Sequence, residues 1–78
     1  MRRTIHIHPD ALREIYLIPR GAAAELTKIL RTLETDPTPN NATPLPGRPG
    51  RYELRALGYV TVYEVGETRI NILTVEQE

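Results

Sequence analysis

Three arginines lie close together in the second half of the chain and provide its clearest candidate site. Arg48, Arg51 and Arg55 fall within eight residues, and Tyr59 follows four positions after the last of them. Guanidinium groups bind phosphates and carboxylates through paired hydrogen bonds, and a tyrosine ring can stack on a base. The cluster therefore indicates a site for nucleic acid or for an acidic protein partner. The alternative is a solvated strand edge on which Glu53 pairs with a neighbouring arginine.

Two histidines near the start of the chain are the other residues that could do chemistry. His6 and His8 are two positions apart, so they share one face if this segment is a strand. Two imidazoles in this arrangement could bind a metal, but the sequence offers no evident third ligand and contains no cysteine. We therefore expect no metal site and no cofactor, and interpret both histidines as exposed or half-exposed strand residues.

The histidines belong to a predicted strand that is followed by two helices. Residues 4–8 alternate between polar and β-branched side chains, which is typical of a half-buried strand. Proline suits the first turn of a helix, and apolar residues at helical spacing predict a helix from Pro9 to about Leu17. Pro19 separates this helix from a second one with a continuous apolar stripe, which ends at about Thr35.

The end of the chain is predicted to be all strand, after a loop at residues 36–50 that is rich in proline. Alternating side chains predict strands at residues 51–56, 59–65 and 69–75. Strands joined by short turns form an antiparallel meander. The order β-α-α-β-β-β therefore predicts an α+β fold in which a helical hairpin packs on a small antiparallel sheet.

The same alternation predicts which side chains the helices cover. Tyr52 and Tyr63 are expected under the helices, as core residues with the hydroxyl at the rim. Glu53, Arg55 and Val60 are expected side by side on the uncovered face of the sheet. Apolar surface that remains for a partner is expected at Leu17, Ile18 and Val60.

Composition limits the class of protein. Seventy-eight residues are enough for one domain, so we assign residues 1–78 to a single unit. Ten basic and ten acidic residues give a formal net charge of zero, which argues against coating nucleic acid by bulk electrostatics. No stretch is long and apolar enough to cross a membrane or to serve as a signal peptide, so we expect a cytoplasmic protein without membrane contacts.

The motifs and their order resemble the RelE/ParE superfamily of bacterial toxins. Residues 45–55 contain a leucine, a glycine and a Tyr-x-Leu-Arg strand, and residues 58–65 read Gly-Tyr-Val-Thr-Val-Tyr-Glu-Val. The family pattern is similar at both places, and the exit of the second helix at residues 33–37 is also similar. The resemblance implies a RelE-like domain and the toxin half of a type II toxin–antitoxin system, a class that includes plasmid stabilization modules.

Departures from the family pattern concern charge. In members that cleave mRNA on the ribosome, the resemblance implies cations on the second and third strands and an arginine–tyrosine pair at the C-terminus. Arg55 retains one of these cations, whereas the other positions fall on Glu53, Val60 and Glu78. Phosphate cleavage needs cations that stabilise the charge developing on phosphorus-bound oxygens, and a carboxylate repels it. We therefore assign Arg55 as the one candidate catalytic residue and expect weak or absent mRNA endonuclease activity.

Two molecular targets remain open for a toxin of this kind. RelE-type toxins act as mRNA interferases on the ribosome, whereas ParE-type toxins inhibit DNA gyrase and need no such catalytic set. In both cases the resemblance implies a cognate antitoxin as partner, with a homodimer or a heterotetramer with antitoxin as the alternatives for assembly. A different class of function, a catalytically inactive interaction module with the same fold, would leave host growth unaffected.

Overall fold

Two helices cover one face of a five-stranded sheet in the computed structural model, which describes residues 2–78. The strands are β1 (Thr4–Ile7), β2 (Ala42–Pro44), β3 (Arg51–Ala56), β4 (Tyr59–Val65) and β5 (Arg69–Gln77). The helices are α1 (Pro9–Leu17) and α2 (Arg20–Arg31), and a single 3₁₀ turn at Thr32–Glu34 extends α2. The predicted α+β layout is confirmed. No helix within residues 2–78 is long and apolar enough to cross a membrane.

The sheet is mixed, whereas the sequence predicts an antiparallel one. The strand order is β1-β5-β4-β3-β2, and β1 pairs with β5 in parallel while all other neighbours are antiparallel. The predicted meander of β3, β4 and β5 is present, but β2 adds a short strand inside the segment predicted as a loop. Thr43 of β2 lies opposite Glu53, because the turn at residues 45–50 reverses the chain and β3 runs back antiparallel to β2.

Local signals set both ends of α1. The side chain of His8 caps the helix, where Nδ1 accepts a hydrogen bond from the backbone N–H of Asp10 at 3.1 Å. Pro9 occupies the first turn and Asp10 adds a negative charge at the positive end of the helix dipole. Ile18, ahead of Pro19, is extended and ends the helix.

The core lies between the sheet and the helices and centres on Tyr63. This side chain is fully buried, its ring stacks on Tyr52 with centroids 5.7 Å apart, and its hydroxyl donates to the carbonyl of Pro37 at 2.7 Å. The predicted core position is confirmed for Tyr63, whereas Tyr52 is half-buried and packs against the core. The helices contribute apolar residues at helical spacing to the same cluster, with Leu26, Leu30 and Leu33 almost completely buried.

One irregularity changes which residues of β5 face the core. Tyr63 lies opposite Ile72, but the preceding Val62 lies opposite Thr74, so Leu73 is an extra residue in a β-bulge. The bulge shifts the alternation by one, and the buried residues of β5 are Ile70, Ile72 and Val75. Simple period-two alternation would have placed Thr74 in the core instead.

A tight turn joins β3 to β4 through two residues with positive φ, Leu57 at 58° and Gly58 at 82°. Two-residue hairpins favour this geometry because it matches the twist of the strands. Glycine adopts it without strain, whereas a leucine pays a steric penalty, and here half of the leucine side chain is exposed. The turn that Gly58 indicates in the sequence is confirmed.

Thr61 is a buried polar residue at the centre of this core. Its hydroxyl has no hydrogen-bond partner among the described residues, and burying such a group costs about 1–3 kcal/mol. Thr61→Val, which keeps the shape and removes the hydroxyl, is expected to raise the free energy of unfolding by about 1 kcal/mol. Urea unfolding of both forms measures this difference. A loss of stability in the valine form would mean that the hydroxyl is hydrogen-bonded in the folded protein.

Candidate functional site

The uncovered face of the sheet carries the arginine site that the sequence predicts. Arg55 lies opposite Val60 in the β3–β4 register, and Glu53 is two positions away on the same strand face. The three residues therefore lie side by side, as expected, on the surface opposite the helices. We call this surface the open sheet face, with Arg51, Glu53, Arg55, Val60, Val62 and Glu64 at its centre.

Two carboxylates hold the guanidinium group of Arg55. Its Nη1 donates to Oε2 of Glu78 at 2.8 Å, and its Nη2 lies 2.9 Å from Oε1 of Glu53. The hydrogen bond to Glu78 and the charge of Glu53 raise the pKa of Arg55 above its ordinary value. Arg55 therefore remains a cation, but its Nη1 and Nη2 are engaged by the two glutamates.

The other two arginines of the predicted cluster differ in their surroundings. Nε of Arg51 lies 3.4 Å from Oε2 of Glu64, its partner across the β3–β4 ladder. Arg48 projects from the turn before β3, is exposed, and makes no ion pair within residues 2–78. Arg51 and Arg55 are each neutralised by a neighbour, which corresponds to the solvated-edge alternative for these two residues.

Tyr59 does not join the arginines. It lies opposite Ala56 on the face that the helices cover, where it is half-buried and packs against the core. The ring borders a small cleft with Leu17 and Val75, at the end of α1. Arg55 faces the same way as Val60, its partner in the β3–β4 register. Neighbouring residues of a strand point to opposite faces, so Tyr59 lies on the other face of the sheet from Arg55.

The two histidines also have separate surroundings. His6 is exposed on β1, whereas His8 is engaged as the cap of α1. Across residues 2–78 there is no group of three histidine, cysteine, aspartate or glutamate side chains that could hold a metal ion.

A second candidate surface lies on the opposite side of the molecule, in the groove between α1 and α2. This hairpin groove has a volume of about 820 Å³ and is mainly apolar. Its apolar lining comes from Ile15, Tyr16, Ile18, Ala23 and Ala24. Three cations lie along it, Arg20, Lys28 and Arg31, and no acidic side chain of residues 2–78 lines it.

The sequence predicts apolar surface for a partner at Leu17, Ile18 and Val60. The structure agrees only for Leu17. Leu17 is 76% exposed, but Ile18 is 9% exposed and belongs to the core, and Val60 is half-buried on the other face. Tyr16, the aromatic residue that lines the groove, is 78% exposed. The small residues at 22–24, flanked by cations on both sides, were the signal in the sequence for a groove at this position.

Solved structures share this fold along nearly the whole chain. A RelE–RelB complex from Pyrococcus horikoshii OT3 has a TM-score of 0.86 and 21% identity and covers 99% of this chain and 96% of its own. The RelBE2 toxin–antitoxin complex from Mycobacterium tuberculosis has a TM-score of 0.83 and 22% identity, with 100% of both chains covered. The intact E. coli RelBE complex has a TM-score of 0.81 and 25% identity, covering 97% of this chain and 96% of its own.

No family model and no curated protein matches the sequence. The structural matches nevertheless show that the chain has the fold of the RelE toxins. The superfamily that the motifs of the last third resemble is thereby confirmed at the level of the fold.

Proposed function

We propose that this protein is the toxin component of a type II toxin–antitoxin pair. The observation that carries the proposal is the match to RelE toxins, several of them in complex with antitoxins, over nearly the full length of both chains. Because a shared fold does not by itself fix function, the surfaces must also suit the role.

The hairpin groove suits an antitoxin. An amphipathic helix that lies in a groove places apolar residues at helical spacing against the floor and polar residues at the rim. Here Ile15, Ile18 and Ala23 contribute to an apolar floor, and the rim carries three cations, Arg20, Lys28 and Arg31. We therefore infer an antitoxin segment with an apolar stripe flanked by aspartate or glutamate residues.

Co-expression with the product of the adjacent reading frame tests the pairing. Induction of this chain alone is expected to arrest growth, and co-induction of its neighbour is expected to restore it. The two products should co-purify as a stable complex. Growth arrest that the neighbour does not relieve, or the absence of any co-purifying small protein, would contradict the proposal.

The charges on the open sheet face help to distinguish between the two molecular targets, mRNA on the ribosome and DNA gyrase. RNA cleavage at a RelE-type site requires free cations, and here Arg55 is bound between Glu53 and Glu78 while Val60 offers no donor. We infer that mRNA cleavage at this face is weak. An in vitro translation assay that maps mRNA cuts, run beside a gyrase supercoiling assay, separates the two targets.

A second candidate function follows from the same contact. If the neutralised Arg55 reflects loss of the toxin activity, the protein is a non-catalytic interaction module that retains the fold. Normal growth of a host that makes soluble, folded protein would favour this alternative over the toxin.

Substitution of the matched cation tests whether the family's site is used. Arg55→Ala is expected to raise plating efficiency under induction by about tenfold, because it removes the one cation that the resemblance to the family retains at this site. Arg69→Ala is the control, since Arg69 is an exposed cation of β5 without contact to the carboxylates that hold Arg55. Equal toxicity of the two variants, at equal soluble protein, would show that the site is not used.

A further inference from the structure

Glu78 approaches Arg55 from a different part of the chain than Glu53 does. Glu53 lies two positions before Arg55 on β3, so strand geometry alone places both side chains on one face. Glu78 follows β5, and its backbone N–H donates to the carbonyl of Gly58 at 2.8 Å. That bond fixes the main chain of Glu78 beside the β3–β4 turn, within side-chain reach of Arg55.

The two carboxylates also differ in exposure. The side chain of Glu53 is 26% exposed and that of Glu78 is 48% exposed, and Arg55 between them is 55% exposed. Exposed ion pairs are held weakly, because water and salt screen them and long side chains lose freedom in forming them. The pair of Glu78 with Arg55 is therefore one that another anion can displace, and the less exposed Glu53 is the carboxylate that stays.

Displacement of Glu78 needs no movement of the sheet. Rotation about its side-chain bonds withdraws the carboxylate, while the backbone bond to Gly58 keeps the residue in place. Nη1 of Arg55, which donates to Oε2 of Glu78 at 2.8 Å, is then open to solvent. Nη2 of Arg55 remains 2.9 Å from Oε1 of Glu53, so the guanidinium group keeps its orientation.

We propose that the side chain of Glu78 makes an autoinhibitory contact, which occupies Nη1 of Arg55 until a phosphate of an RNA backbone displaces it. Guanidinium groups bind phosphate oxygens with the same geometry that they use for carboxylates, so the two anions compete for one donor. Glu53 is a positioning residue that holds the guanidinium group on the open sheet face. The proposal rests on the proposed function only in taking RNA as the ligand of this face.

Glu76 provides a matched control for the charge of Glu78. It lies opposite Val60 in the β4–β5 register, so it shares the open sheet face, and it is exposed. Among the ion pairs of residues 2–78, none involves Glu76. Replacing either glutamate with alanine removes one negative charge near the same strand end, but only Glu78→Ala releases Arg55. Alanine at position 78 keeps the backbone bond to the turn, and far-UV circular dichroism checks that the fold is unchanged.

Binding of a short, fluorescein-labelled oligouridylate to the purified chain tests the proposal. Fluorescence anisotropy at about 100 mM salt measures the dissociation constant and screens charges that make no contact with the ligand. Glu78→Ala is expected to lower the dissociation constant by about threefold to fivefold, the range that loss of one competing exposed ion pair allows. Glu76→Ala should change it by less than about twofold. A glutamate-rich peptide with the same label serves as the second probe.

Arg55→Ala in the Glu78→Ala background shows whether the gain in affinity acts through the arginine. The double variant should bind the oligonucleotide no more tightly than Arg55→Ala alone, because Glu78 then has no cation to occupy. A readout without RNA accompanies this comparison. The Nη protons of Arg55 should exchange with solvent faster in Glu78→Ala than in the wild type, because a bonded proton is protected.

Equal dissociation constants for Glu78→Ala and Glu76→Ala would overturn the proposal, since the effect would then be one of net charge. A gain that persists without Arg55, or no detectable binding of the oligonucleotide by any variant, would overturn it as well. A gain for the glutamate-rich peptide alone would assign the face to an acidic protein and reject RNA as its ligand. None of these results depends on growth arrest or on an antitoxin, so failure of the toxin function is recognised separately.

Discussion

Replacing Tyr63 with alanine is expected to lower the free energy of unfolding by about 3–5 kcal/mol. The side chain is fully buried, stacks on Tyr52 and bonds to Pro37, so its removal leaves a cavity at the centre of the core. A 78-residue domain has a total stability of only about 4–12 kcal/mol, which makes this loss a large fraction of it. Denaturant unfolding measures the change through the midpoint.

The phenylalanine variant separates packing from hydrogen bonding at the same position. Tyr63→Phe keeps the stacked ring and loses only the hydroxyl, so it should cost about 1 kcal/mol. If the alanine and phenylalanine variants were equally destabilised, the ring would contribute little and the central place of Tyr63 in the core would be wrong.

Tyr63 also gives stability a specific dependence on high pH. Burial, followed by the charges of Tyr52 and Asp36, raises the pKa of Tyr63 to about 12, against about 10 in the unfolded chain. Between these values the unfolded state loses the proton while the folded state retains it, so stability falls as pH rises from about 10 to about 12. The shift of about two units corresponds to a loss of about 3 kcal/mol, and this contribution is fully present below pH 10.

The comparison with Tyr63→Phe isolates this contribution from the other tyrosines. Unfolding free energies of both proteins at pH 9 and at pH 11.5 give the two slopes, and the phenylalanine variant should decline less. Parallel declines would mean that ionisation of Tyr63 does not drive the loss.

Reversing charges at the rim of the hairpin groove is expected to abolish most binding of the antitoxin. Arg20→Glu combined with Lys28→Glu changes two exposed cations of the groove to anions, and neither side chain belongs to the core. Like charges across an interface cost several kcal/mol, so affinity for the co-purified antitoxin should fall by at least about 100-fold. Titration calorimetry of the purified partners measures it.

Two controls make this result specific to the groove. Arg69→Glu changes an exposed cation on β5, outside the groove, and should alter affinity by less than about threefold. The wild-type affinity should also fall as salt is raised, and the double variant should show a weaker salt dependence. Equal loss of affinity in the control and the double variant would place the antitoxin elsewhere.

Boundaries of several elements were predictable because their signals are local. The helix at Pro9–Leu17 and the strands at Arg51–Ala56 and Tyr59–Val65 have the bounds that the sequence predicts. Proline and glycine at their ends, and periods of 3.6 or two residues within them, act through neighbours in the chain. The same alternation correctly placed Glu53, Arg55 and Val60 on one face.

Other features of the fold depend on contacts between distant parts of the chain, and the alternation of side chains does not predict them. The bulge opposite Val62 decides that Val75 rather than Thr74 is buried, and no local pattern marks it. Ile18, expected at the surface, is covered because α2 folds back against α1. The direction of β1 against β5 and the added strand β2 likewise depend on pairing between segments far apart in sequence.

At the candidate site, too, some features follow from the sequence and others depend on contacts between distant residues. The sequence contains Glu53, Val60 and Glu78 at positions where the resemblance to the RelE/ParE superfamily implies cations, and Arg55 at one where it implies that a cation is kept. Only the tertiary structure decided that Glu78, 23 positions from Arg55, reaches its guanidinium group at 2.8 Å. Sequence patterns report what each residue can do, whereas the distance between two side chains depends on the whole sheet. A folded protein in which Glu78 lies away from Arg55 would leave Nη1 of that arginine free for a phosphate, with Glu53 as its remaining ion-pair partner.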